Sequence, residues 1–421
     1  QAAADKQAAA DKKTQVHKAD VVAEVDAATG TSTTRQLSVE ATEDDGSKVS
    51  CGIEDVGLML NQDWSPPPQF EKCTHLHLMW KDLSDRALRL LSEKIAVHSK
   101  LASVRIESAR QISVTGCKAL GAAVAENPTI KSFAFVRSHL EAPCIDAALS
   151  PMLSKPDGIR DIDISENSYS DSGAKLIAKL LLKKQPGLES LVLSNADIRG
   201  HGTIAVAQAL VGHPTLTAFK IDNNFISDNG LNELMTSLHR TKITHLDVSE
   251  ANLGVKSMDA IKAALENAEC KLVELDISGS YRISPAGGAI IAQGLEKNKS
   301  LRKIKMVYVD LGKAGGAAIA AALMRNKHLT HVDLTWNEIG NEGAEAMAKM
   351  LRVNRNLRSL GLSRNSIGPS GFHALANALQ NNFVLTEMKL EHNTARTDSR
   401  IRTLLARNHV RRDDPKTLSR Q

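Results

Sequence analysis

Leu329–Leu351 reads LTHVDLTWNEIGNEGAEAMAKML, and Leu357–Leu379 reads LRSLGLSRNSIGPSGFHALANAL. Both open with apolar residues at the first, fourth and sixth positions, the pattern L-x-x-L-x-L. That spacing recurs every 27 to 29 residues in twelve frames, opening at Cys73, Leu101, Ile130, Ile159, Leu188, Leu216, Ile243, Leu272, Leu301, Leu329, Leu357 and Leu385. All thirty-six slots are apolar in a chain that is 42% hydrophobic. Chance would fill a preset frame this way with a probability on the order of 10^-14. Slots four and six lie two residues apart, so in a strand they share one buried side.

Behind each strand motif the period changes from 2 to 3.6. Ala344, Met347, Ala348 and Leu351 fall at i, i+3, i+4 and i+7, as do Phe372, Leu375, Ala376 and Leu379, and also Ala174, Ile177, Ala178 and Leu181. Each repeat is therefore a short strand followed by an amphipathic helix. Gly stands at the fifteenth position in Gly173, Gly202, Gly230, Gly315, Gly343 and Gly371. There it is expected to let the helix start approach the neighbouring repeat's backbone. A parallel sheet needs helices over it, and stacking lets each repeat bury the face its neighbour leaves open. The predicted fold is an α/β solenoid of about twelve repeats, a horseshoe with a parallel inner sheet and outer helices.

The two quoted stretches resemble the ribonuclease-inhibitor-like class of leucine-rich repeat proteins, and the resemblance runs from residue 73 to about 410. It implies this architecture, whereas the functions of the class range over inhibitors, GTPase activators, cytoskeletal caps and innate-immune sensors. The family's ninth-position Asn is present as Asn167, Asn224, Asn337, Asn365 and Asn393, and is replaced by Lys81, Ser138, Ala196, Ala251 and Val309.

Outside the repeats the composition changes. Residues 1–50 begin with QAAADK twice over and contain few large apolar residues, which predicts a disordered leader, or one whose first residues become helical on a partner. Residues 51–72 hold Ile53, Val56, Leu58, Met59, Leu60, Trp64 and Pro66 to Pro68, and read as a cap over the first open edge or as a Pro-rich docking motif. The repeats occupy 73–394. In 395–421, Ile401, Leu404 and Leu405 mark a closing helix ahead of a basic tail. No run of eighteen apolar residues or secretory core region is present.

The chain's formal net charge is +5. Arg407, Arg411, Arg412, Lys416 and Arg420 could attract nucleic acid or an acidic membrane, but the shortage of nearby aromatics for base stacking argues against nucleic acid. The five cysteines, Cys51, Cys73, Cys117, Cys144 and Cys270, are odd in number and scattered. They read as reduced, buried residues of a cytoplasmic protein, in a cytoskeletal or flagellar setting if the chain is a structural part. GxxxxGK(S/T), HExxH, CxxC and GxSxG motifs are absent, so no catalytic residue, cofactor, metal site or small-molecule substrate is assigned. His75 and His77 share one strand face without a third ligand nearby.

Third and fifth strand positions point away from the core, and the seventh and eighth continue at the same rim. They collect Asp161, Asp163, Glu166, Asp222, Asp247, Glu250, Glu274 and Asp276 against Lys220, and then Lys303 and Lys305 reverse the sign. Like charges on adjacent strands repel, so this acidic belt points to a protein partner with a basic surface. Trp80 and Trp336 share the eighth position in two repeats and Tyr308 fills it in a third, beside Lys305 and His331, as interface anchors would. The sequence thus describes a non-catalytic protein-binding scaffold. Its alternatives are a GTPase activator, by resemblance to the activator of the nuclear-transport GTPase, which implies a loop arginine for which Arg110 is the nearest candidate, and an effector acting in a host cell.

Overall fold

The computed structural model describes residues 43–44, 48–53, 68–79, 83–154, 158–395 and 398–413. They form two compact units, one comprising the described residues as far as Tyr169 with Gln185–Leu193, the other Ser170–Lys184 with Ser194 onward.

The first unit opens with an antiparallel pair, β1 (Glu43–Asp44) and β2 (Lys48–Ile53). From β2 the ladder is parallel through β3 (His75–Met79), β4 (Ser103–Glu107), β5 (Ser132–Val136), β6 (Asp161–Asp163) and β7 (Ser190–Val192). The fourth-position slots pair directly, with Leu76, Val104, Phe133, Ile162 and Leu191 in one row. Cys51 of β2 extends this row ahead of the first frame, opposite Leu76. β1 then occupies the edge that β2 would otherwise leave unpaired. The helices are α1 (Asp85–Val97), α2 (Val114–Glu126) and α3 (Ala142–Met152). Most of the proposed cap, residues 54–67, lies outside the described residues, as does Trp80.

The second unit holds β8 (Ala218–Lys220), β9 (His245–Asp247), β10 (Glu274–Asp276), β11 (Lys303–Lys305), β12 (His331–Asp333), β13 (Ser359–Gly361) and β14 (Glu387–Lys389), again parallel. Its helices are α4 (Ser170–Leu181), α5 (Gly200–Leu210), α6 (Ser227–Ser237), α7 (Val255–Glu266), α8 (Ser284–Lys297), α9 (Gly312–Arg325), α10 (Gly340–Leu351), α11 (Pro369–Leu379) and α12 (Ser399–Asp413). On α12 Ile401 is buried, while Leu404 and Leu405 are half-buried. The fifteenth-position glycine makes room within its own repeat as well as between repeats. A Cβ at Gly343 would stand 2.1 Å from Ile339 Cγ2, one turn earlier in the same chain.

Two rows of asparagines lock the second unit at opposite ends of its strands. After the strands, the ninth-position side chains bind the neighbouring loop: Asn337 Oδ1 accepts from the Val309 and Leu311 amides at 3.1 and 3.2 Å, and Nδ2 donates to Met306 and Leu334 carbonyls at 2.6 and 3.0 Å. Asn365 and Asn393 continue the row. Before the strands, Asn298, Asn326, Asn354, Asn382 and Asn408 form a second row. Asn326 is typical: its amide donates to Leu295 and Asn298 carbonyls, and its oxygen accepts from His328 and Leu329 amides. Carbonyls orphaned at the ends of α7, α8, α9 and α10 are thereby satisfied by the next repeat.

The expectation of reduced cysteines is corrected in the first unit, where Cys51 joins Cys73 and Cys117 joins Cys144, with Cα separations of 5.8 and 5.5 Å. The reason is the repeat itself: Cys117 and Cys144 are 27 residues apart, about one period, which places them side by side on α2 and α3. Cys270 is the buried free thiol among the described residues. Disulfides persist in oxidising surroundings, so the cytoplasmic placement loses the support that reduced thiols gave it. Replacing Cys117 and Cys144 by serine is expected to lower the first unit's stability by about 2–4 kcal/mol. A urea midpoint unchanged by the double substitution would show that this bridge adds nothing.

Candidate functional site

On the first unit's strand face the carboxylates are matched by arginines, from the same strand in one pair and from neighbouring repeats in the others. Glu107, nearly buried, accepts from Arg105 Nε at 3.3 Å and Arg137 Nη1 at 3.1 Å, and His77 Nε2 lies 3.3 Å away. Arg137 grips Glu166 with two hydrogen bonds of 2.8 Å, and that hydrogen bond, chiefly, holds the Glu166 carboxyl below its usual range. Asp163 stands 3.4 Å from Arg105, while its other oxygen accepts from the Ser165 amide and hydroxyl. Asp161 differs: desolvation, then the Glu189 carboxylate, push its carboxyl up, against the lowering effect of Arg160. His75 Nδ1 lies 2.9 Å from the Thr74 hydroxyl. Arg110 is exposed in the loop after β4.

The second unit carries the rest of the projected belt. Glu274 pairs with Lys303 at 3.2 Å and Asp276 with Lys305 at 2.9 Å; hydrogen bonding to Asp276 raises the Lys305 ammonium above its usual range. Asp222 is raised by desolvation first and by the charge of Asp247, with the Ser194 hydroxyl bond opposing. Asp247 turns one oxygen inward to the Ser249 amide and hydroxyl, at 3.1 and 2.6 Å. The Glu250 carboxylate fills the space a side chain at Gly279 would need. The expectation that Lys220 alone opposes the belt is therefore corrected. Opposing cations lie one or two repeats away, where sequence distance hides them.

Two depressions lie along this strand face, each of about 290 Å³. Ala218, Lys220, His245, Asp247, Asp276 and Lys305 line one. His331, Asp333, Gly361 and Lys389 line the other with Lys303 and Lys305 between them. A Cβ at Gly361 would meet Asp333 Oδ1 at 2.3 Å, so the second depression requires glycine on its floor.

At the rim every eighth position among the described residues has left-handed backbone. Asn195, Asn223 and Gly279 suit it, yet Tyr308, Trp336, Arg364 and His392 hold it at φ of 54°, 61°, 54° and 58°. Placing a large side chain there costs about 1 kcal/mol. Tyr308 and Trp336 rings approach to 5.3 Å between centroids, and the Arg364 guanidinium sits 4.9 Å over the Trp336 ring. Both rings remain about half exposed, at 48% and 50%. Arg364 is the member of this row that sequence reasoning missed; its eighth position in the frame opened by Leu357 was the available signal.

Among the described residues no group of three or more His, Cys, Asp or Glu is arranged to hold a metal, and no helix is long and apolar enough to cross a membrane.

A family model described as Leucine Rich repeat matches residues 325–348 and 353–376. Among curated proteins, the chain is 26% identical over 247 residues to NACHT, LRR and PYD domains-containing protein 14 of Mus musculus, covering 57% of this chain and 24% of that protein. It is 23% identical over 254 residues to protein 13 of the same name in Homo sapiens, covering 60% and 20%. The matched stretch thus spans a quarter or less of these relatives. Among solved structures, the Rad7 and Elc1 complex in yeast aligns with a TM-score of 0.44 at 14% identity, over 71% of this chain and 78% of that one. Leiomodin-1 actin-binding site 2 aligns at 0.34 with 21% identity, over 39% and 93%. The strand register and the matched residues identify the fold as an α/β leucine-rich repeat solenoid.

Proposed function

We propose that the chain is a non-catalytic scaffold of the ribonuclease-inhibitor-like subtype, serving as an inhibitor, adaptor or structural part, that binds a protein partner on the strand face and rim of its second unit. The row of Tyr308, Trp336 and Arg364 carries this reading. Bulky side chains persist on strained backbone there, and stacking holds them in place before any partner arrives, which lowers the entropy lost on binding. Charges of both signs surround the row, as in interfaces that select their partner electrostatically. A basic patch on the partner would face Asp222, Asp247 and Glu250, whose charge no lysine or arginine neutralises within ion-pair distance among the described residues. The names of the curated relatives include leucine-rich repeats as one part of a larger protein, which fits a recognition role for such a segment.

A photo-crosslinking side chain at Tyr308 or His331 should capture one protein that the same label at Glu345, on α10, does not. Trp336→Ala should then weaken that protein's binding by about 2 kcal/mol, roughly thirtyfold, and shift unfolding by less than about 1 kcal/mol. Loss of several kcal/mol in stability with affinity unchanged would make Trp336 a packing residue and sink the proposal.

A further inference from the structure

We propose that the helix-to-strand edge of the second unit, from the end of α8 to the end of α12, is a docking surface for a bilayer with anionic headgroups. β10 to β14 run parallel, so the segments leading into successive strands emerge side by side at one edge. Residues 297–302, 324–330, 352–358, 380–386 and 406–411 contain ten Lys and Arg and no Asp or Glu. Lys297 is neutralised by Glu266 at 3.2 Å and Arg325 by Glu296 at 2.8 Å. With Arg411 left aside as well, seven cations remain; the C-termini of five helices ask for about half a positive charge each, so most of the seven are in surplus.

Repetition orders these cations. Lys299, Lys327 and Arg355 each stand two residues before a frame, and Arg302 and Arg358 stand second within one. Arg302 and Arg355 donate to carbonyls in the loops and helix ends, so their charges are held in place.

The second observation is apolar. Each of the last four segments exposes one large hydrophobic side chain among its neighbours: Met324 at 46%, Val353 at 53%, Phe383 at 41% and Val410 at 73%. Arg407 and Arg411 stack over Phe383 with 4.2 and 4.3 Å between guanidinium carbon and ring centroid. A nucleic-acid duplex uses the charge but has no place for four apolar side chains, whereas the headgroup boundary of a bilayer takes both. Sequence reasoning weighs the tail cations alone; the fold brings Arg407 and Arg411 over Phe383 of the loop before β14.

Co-sedimentation of the full chain with phosphatidylcholine vesicles containing about one-third phosphatidylserine, at about 0.1 M salt, tests this. Binding is expected to those vesicles and not to pure phosphatidylcholine. The exposed triple variant Lys299→Gln, Lys327→Gln, Arg358→Gln should weaken it by on the order of 100-fold, since each cation near an anionic surface contributes about fivefold. Val353→Ser with Val410→Ser should weaken vesicle binding while the circular dichroism spectrum stays unchanged. No binding to the phosphatidylserine vesicles, insensitivity to the valine substitutions, or tighter binding to a DNA duplex than to the vesicles would each overturn the proposal. The outcome is independent of the strand-face reading, because Trp336→Ala leaves this edge intact.

Discussion

Asn337→Ala is expected to destabilise the second unit by about 3–4 kcal/mol, more than any substitution at the exposed rim. Asn337 is fully buried, and its amide group meets two backbone N–H groups of the preceding repeat and three carbonyls. Alanine would strand the Val309 and Leu311 amides and take this donor from the Met306 carbonyl, while the Leu334 carbonyl keeps Asn365 Nδ2 at 2.8 Å; an unpaired buried group costs about 1–3 kcal/mol. Hydrogen exchange at Val309 and Leu311 should accelerate together with the fall in urea midpoint. If the midpoint moves by less than about 1 kcal/mol, the asparagine row is incidental to cohesion of the stack.

Acid should weaken the second unit through His213. Its Nδ1 accepts from the Leu216 amide at 3.2 Å, which puts the proton on Nε2, and no acceptor for it is present among the described residues. Burial first, then the nearby Lys184 ammonium, lower its pKa to about 4. The unfolded chain, with an ordinary value near 6.5, takes up a proton that the folded one refuses. Stability is therefore full at pH 7, falls as pH drops from about 6.5 toward 4, and levels off below, a loss of up to about 3 kcal/mol. His213→Asn installs the group used at the same corner by Asn298, Asn326 and Asn354, and should flatten this dependence. A variant whose stability still declines over that interval as the parent's does would assign the effect to other groups.

The fold was legible because its signal is local. Each strand motif and helix stripe fits within one repeat, and each of the twelve frames from Cys73 to Leu385 lies on a strand or leads into one. What escaped was coupling across repeats. Arg105 meets Asp163 58 residues later, Arg137 meets Glu166 29 later, and Cys117 meets Cys144 27 later. Each becomes visible only when the chain is wrapped at its own period. The corner residues Asn298, Asn326, Asn354 and Asn382 each stand three places before a frame, outside the strand motif and the helix stripe that carry the periodic signal. The aromatic row was found by position, through Trp336 and Tyr308, yet its left-handed backbone was not, because the eighth position accepts Asn, Glu, Tyr, Trp, Arg and His alike and so has no compositional signature.

That indifference has an evolutionary consequence. Because the same turn recurs at Asn195, Asn223, Glu250, Tyr308, Trp336, Arg364 and His392, the conformation is imposed by the stack and not by the residue placed in it. Each turn is then a socket, exchangeable without rewriting the interior, and neighbouring sockets sit about one strand spacing, 4.8 Å, apart. Selection could change what this surface recognises one socket at a time, at a cost of about 1 kcal/mol per bulky insertion. Recognition and folding would thereby drift on separate sets of positions, leaving the thirty-six apolar slots untouched.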